Sequence, residues 1–119
     1  MGDFKKLRVW NDSVELATRI YRLTSMQPFN KDFGLSTQLQ RASVSIASNI
    51  AEGDERGYNQ DSIRFFHIAK CSAAEVITQL YIAQSIGYIE KKVAESEIDF
   101  VEKIRASLKN LIKVRNANG

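Results

Sequence analysis

A chain of 119 residues, 44% hydrophobic and 26% charged, has room for one core of three or four packed helices. Its formal net charge of +3 permits an acidic partner without demanding one. The single cysteine, Cys71, excludes an intramolecular disulfide, and no segment approaches the roughly 18 apolar residues that a membrane-spanning helix needs.

The N-terminal run MGDFKKLRVWND is charged and lacks the apolar stretch of a signal peptide, so the expected location is the cytoplasm. With one proline and six glycines the chain has few interruptions, which favours long helices. Helix one is predicted from about Val9 to Met26, with Asn11 or Asp12 as cap. Its stripe is Trp10, Val14, Ala17, Tyr21 and Thr24, widened by Leu16, Ile20 and Leu23. Gln27 to Asp32 is a connector, and Pro28 has no amide hydrogen with which to continue the helix.

Helix two starts near Phe33, with Ser36 as a possible cap, and ends around Gly57. Leu39, Ala42, Ile46, Ile50 and Gly53 recur at helical spacing along its apolar side. A glycine at 53 inside a helix costs about 1 kcal/mol relative to alanine, which close approach of a neighbouring helix would explain. Asn59 or Asp61 can cap helix three, whose stripe is Ile63, Phe66, Ala69, Ala73, Val76 or Ile77, Leu80 and Ala83, with Gly87 as stop signal. Helix four is expected from Lys91 to about Val114 along Ala94, Ile98, Val101, Ile104, Leu108, Leu111 and Ile112, with a frayed NANG tail. Four amphipathic helices with short connectors predict an all-α, antiparallel up-down-up-down four-helix bundle filling residues 1–119 as one domain.

The residues offer little catalytic chemistry. A di-iron bundle needs Glu-x-x-His motifs on two helices, yet the only histidine, His67, follows Arg64 at that spacing. One Cys and one His cannot furnish a zinc site, and the phosphate-binding glycine motifs are missing. His67 and Cys71, four apart, have no evident third group to orient them as a nucleophile pair. The expectation is no catalytic residue, no metal and no cofactor.

Two polar patterns remain. Arg41, Ser45, Asn49, Glu52 and Arg56 run beside the apolar stripe of helix two. They fit a solvated face, a buried network or a subunit interface, and interleaved small residues favour close packing. Reflection about Gly57 brings Arg41 level with Glu75 and predicts a partly buried cross-helix pair. Beyond Lys103 the chain carries Arg105, Lys109, Lys113 and Arg115 with no acid, while Lys5, Lys6 and Arg8 open it. These cations suit either a solvated helix end or contacts to nucleic-acid phosphates, and the two groups are expected at opposite ends of the bundle.

The string Asn49-Ile50-Ala51-Glu52-Gly53 with Arg56, and the close Gly87-Tyr88-Ile89, carry a resemblance. Phe33-Gly34-Leu35, Arg41-Ala42, Ser45-Ile46, Phe66, Glu75 and Gln79-Leu80 extend it. The chain resembles the bacterial four-helix-bundle proteins encoded by intervening sequences within 23S ribosomal RNA genes, often labelled ribosomal-protein-like. Pro28-Phe29, His67 and Cys71 depart from that pattern. The resemblance implies a small bundle assembling as a ring-shaped homo-oligomer, a pentamer. It also implies association with RNA or with a nucleic-acid-processing protein, as in the similar accessory protein of diversity-generating retroelements. The expected function is thus a non-enzymatic, RNA-associated bundle. The alternative is a protein-protein adaptor without nucleic-acid affinity.

Overall fold

The structure is a computed structural model and describes residues 3–118. A 3-10 turn at Phe4–Lys6 leads into α1 (Arg8–Thr24), and a second at Phe29–Lys31 precedes α2 (Phe33–Glu55); α3 (Gln60–Ser85) and α4 (Lys91–Asn118) complete an antiparallel four-helix bundle. The bundle is a rod, 46 × 20 × 19 Å. Its axis is lined by the expected stripes of α2, α3 and α4, with Leu39, Ile46, Ile50, Phe66, Val76, Leu80, Val101, Ile104 and Leu108 fully enclosed.

The stripe of α1 is rotated from the expected one. Val9, Ser13, Leu16, Ile20 and Thr24 face the core, whereas Val14 and Tyr21 are exposed. The apolar arc of this helix is too broad for spacing alone to locate its centre. Its buried hydroxyls satisfy themselves on the preceding turn: Ser13 Oγ donates to the Val9 carbonyl at 2.7 Å, and Thr24 Oγ1 to that of Ile20 at 2.8 Å. Asn11 is no cap; its side-chain amide lies within the helix and donates back to the carbonyls of Lys5 and Leu7.

The other helix ends follow local chemistry. Asp32, rather than Ser36, caps α2 by accepting from the Leu35 amide at 3.0 Å, and Asn59 caps α3 by accepting from the Ser62 amide at 2.9 Å. Gly57 and Gly87 take left-handed backbone, φ 88° and 83°, to turn the chain after α2 and α3. The helix of α4 runs on to Asn118, past the expected Val114, because Arg115 in its final turn is buried. Gly119 lies outside the described residues.

Gly53 is buried where α2 meets α3. A Cβ there would stand 2.7 Å from Phe66 Cε1 and 3.0 Å from the Ser62 carbonyl oxygen, so the glycine allows the helices to touch. Ser62 Oγ closes the contact by donating to the Gly53 carbonyl at 2.7 Å. Further along the seam the hydroxyls of Ser45 and Ser72 are 2.9 Å apart.

At the opposite end of the rod, Tyr88 donates its hydroxyl to Asp32 Oδ2 at 2.9 Å and packs against Phe29. The Leu35 amide, and then the Tyr88 hydroxyl, hold the Asp32 carboxyl below the usual carboxylate range; Asp32 in turn pushes Tyr88 above the usual phenol value. A carboxyl with a lowered pKa contributes stability above its unfolded value, near 3.9, that is lost as pH falls through the folded value. A phenol with a raised pKa contributes stability below about 10 that is lost as pH rises through the folded value. Urea midpoints measured across pH should therefore fall less steeply below about pH 4 in Asp32→Ala than in the parent, and less steeply above about pH 10 in Tyr88→Phe. Parallel curves for parent and variant would rule out this linkage.

Candidate nucleic-acid interface

Antiparallel packing sets the positions of the cations. Arg19 on α1 reaches Glu97 at 3.6 Å and lies 4.3 Å over the Phe100 ring of α4. The start of α1 and the end of α4 consequently share one end of the rod, contrary to the expectation of opposite ends: four alternating helices return the chain to the end where it began. The two basic groups nevertheless stay apart. The Phe4–Lys6 turn packs on α1 and α2, so Lys5, Lys6 and Arg8 sit exposed on that side.

The cations of α4 build a groove with α3. Lys70, Arg105 and Lys109 line one depression with Glu102 and Ala106, and Lys109 and Lys113 line the next one along the helix with Asn110 and Asn116. Lys70 was not anticipated from the sequence, because it stands alone among neutral neighbours of α3 and joins the row only through packing. Arg105 is held by Glu102 at 3.1 Å, an exposed i,i+3 pair worth little in water. Among the described residues Lys70, Lys109 and Lys113 have no carboxylate partner within 4.0 Å. Arg115, one helical step beyond Ile112, points inward and takes no part in this surface.

The polar stripe of α2 divides three ways. Asn49 is half-buried and donates to the carbonyl and hydroxyl of Ser45, within the seam against α3. Glu52 and Arg56 are exposed; Arg56 bridges Glu52 at 3.1 Å and Asp61 at 2.8 Å, which holds Arg56 above its ordinary pKa. A hydrogen bond from Arg64, followed by the nearby Arg56 charge, holds the Asp61 carboxyl low. Arg41 and Glu75 are level, as reflection about Gly57 implies, but the expected buried pair does not form. Both are exposed on the rim of one groove with Gln38 and Gln79, and no ion pair within 4.0 Å joins them. Reflection fixes height along the rod, not the direction in which a side chain points. His67 and Cys71 are exposed on α3.

A buried ionic site escaped the sequence reading altogether. Arg115 Nη2 donates to Asp54 Oδ1 at 2.7 Å, its Nη1 donates to the Gly57 carbonyl at 3.2 Å, and its guanidinium lies 4.2 Å over the Tyr58 ring and 5.3 Å from that of Phe66. The two charged side chains are 6% and 3% exposed. This clasp fastens the end of α4 to the α2–α3 connector and so fixes the end of the basic groove nearest Lys113.

Among the described residues no helix is long and apolar enough to cross a membrane, and no group of three His, Cys, Asp or Glu side chains could hold a metal ion. No curated protein matches the chain. It is similar to a protein of unknown function from the S23 ribosomal protein family of Bacteroides thetaiotaomicron VPI-5482, known from a crystal structure. The two share 29% identity and a TM-score of 0.78 over 88% of this chain and 98% of the other. The family model of the 23S rRNA-intervening sequence protein matches residues 5–110, and with the same four helices in place the chain belongs to that family.

Proposed function

We propose that this protein is a non-catalytic binder of nucleic-acid backbone that works as an assembly of identical chains. The observation that carries the reading is the row Lys70, Arg105, Lys109 and Lys113, which lines two neighbouring depressions, one shared by α3 and α4 and the next on α4 alone, with three of the four cations free of acidic partners among the described residues. The groove presents no aromatic side chain, whereas stacking on bases needs an exposed aromatic face. Recognition would therefore rest on phosphates, tolerate sequence changes and depend strongly on salt. The family name, which refers to ribosomal RNA, favours RNA as the polyanion. Self-association, in the pentameric ring that the resemblance implies, would repeat a weak site and turn it into useful avidity.

Titration of a fluorescent single-stranded RNA with the protein should give binding at roughly 50 mM salt, with a log–log salt slope of about −0.7 for each phosphate contacted, or about −3 for four. Lys109→Glu with Lys113→Glu should weaken binding at least about tenfold and flatten the slope, while the circular dichroism of the bundle stays unchanged. If the parent protein binds neither RNA nor DNA under those conditions, the adaptor reading takes its place. That second reading draws on one observation, the scarcity of charge on α2 and α3: Arg41 is the only charged residue from Phe33 to Ala51, and Glu75 the only one from Cys71 to Ile89.

A further inference from the structure

The end of the rod that holds the clasp carries a surface that the cationic row does not use. Tyr58, the residue after Gly57 in the α2–α3 connector, is 55% exposed. The Arg115 guanidinium lies 4.2 Å over one face of its ring, and the opposite face is left to solvent. Other rings near this end are engaged. Phe65 is covered by Arg56 and Arg64, at 4.9 and 5.0 Å, while Phe4 and Trp10 pack edge to face at 5.2 Å. Tyr21 and Tyr81, similarly exposed, stand near the last turns of α1 and α3, at the far end of the rod.

The ring of Tyr58 is held before any ligand arrives. Arg115 beneath it is fixed by Asp54 Oδ1 at 2.7 Å and by the Gly57 carbonyl at 3.2 Å, and the aromatic face attracts the cation. A side chain that is already positioned loses little entropy when a second flat group covers it. Charge decides what that group is. Around the connector the exposed acids Glu52, Glu55 and Asp61 stand against Arg56 and Arg64, and both arginines are tied to Asp61, at 2.8 and 3.1 Å. A phosphate finds no spare cation there. Lys109 and Lys113, by contrast, run along α4 toward this same end.

We infer that Tyr58 is a stacking platform for one unpaired base of a nucleic-acid strand whose phosphates follow Lys109 and Lys113 toward the end of α4. A base is the flat, uncharged part of a polyanion, which suits a bare ring beyond a cationic row. Every base has a π face, so the contact tolerates any sequence. Inside a duplex those faces are covered by neighbouring pairs, so the platform favours single strands and unpaired ends. This contact rests on the backbone binding proposed above and adds a base-dependent element outside the groove. Arg115, the support of the ring, lies past residues 5–110 matched by the family model.

An abasic strand separates base stacking from phosphate binding, because it keeps every phosphate and removes every base. At roughly 50 mM salt the parent should bind a fluorescent oligouridylate at least about fivefold more tightly than an abasic strand of equal length. Tyr58→Leu, which still covers Arg115 but offers no flat face, should abolish that difference. Its salt slope and its affinity for the abasic strand should match the parent, and Tyr58→Trp should keep the preference. Equal affinity of the parent for both strands would overturn stacking and leave phosphate binding standing. A base preference that survives Tyr58→Leu, or a variant that loses both strands alike, would overturn the assignment to this ring. A parent that binds neither strand would remove both readings.

Discussion

Asp54→Ala should destabilise the protein by about 3–5 kcal/mol, read as a lower urea midpoint at unchanged slope and a fall in Tm of more than about 10 °C. The size follows from burial: with Asp54 gone, the Arg115 guanidinium remains 6% exposed with no counter-charge, and desolvation is no longer offset. Truncating an exposed pair in the same molecule, such as Arg64 with Asp61, should leave the urea midpoint nearly unchanged. Arg115→Met should cost about as much as Asp54→Ala, because it strands the carboxylate and also removes a donor from the Gly57 carbonyl. Combining Asp54→Leu with Arg115→Met should recover much of the loss, since matched apolar replacement removes both desolvation penalties. A loss below about 1 kcal/mol for Asp54→Ala would mean that the pair is hydrated in solution.

Gly53→Ala should also destabilise, by about 1–3 kcal/mol, although alanine at an ordinary helical site gains about 1 kcal/mol over glycine. The added methyl would stand 2.7 Å from a ring atom of Phe66 and 3.0 Å from the Ser62 carbonyl. Neither neighbour yields cheaply. Phe66 is fully buried with Arg115 near its ring, and Ser62 is tied to the Gly53 carbonyl. Phe66→Leu placed in the Gly53→Ala background should cost less than the same change in the parent, because the smaller side chain relieves the clash. An alanine variant that melts at or above the parent temperature would show that α2 and α3 separate at little cost.

These two sites mark where sequence reasoning reaches and where it stops. Gly53 was legible because a glycine on an apolar stripe, well inside a helix, needs a packing reason, and the stripes of α2, α3 and α4 follow from period alone. α1 was misplaced by rotation because Trp10, Val14, Ala17 and Tyr21 form a second largely apolar line beside Leu16, Ile20 and Leu23, so its spacing fits two registers. The clasp was missed because its partners are 61 residues apart and Arg115 resembles the cation that any helix C-terminus favours. A signal was present: Asp54 follows Ile50 by four and Arg115 follows Ile112 by three, so opposite charges continue two apolar stripes. Of the candidate interface, the row Arg105, Lys109, Lys113 could be read from i,i+4 spacing, while Lys70 needed the packing of α3 against α4.

The two ends of the rod are fastened unequally. At one, a desolvated ion pair joins α4 to the α2–α3 connector; at the other, a partly buried hydrogen bond joins Asp32 to Tyr88. Local opening should therefore be polar, beginning where α1 gives way to α2 and travelling toward the clasp. In native-state hydrogen exchange the amides around Gly53 and Ser62 should be among the last to exchange, close to the global unfolding limit, and those following Met26 among the first. A helix terminus, ordinarily the first part of a bundle to fray, thus becomes its slowest-breathing region.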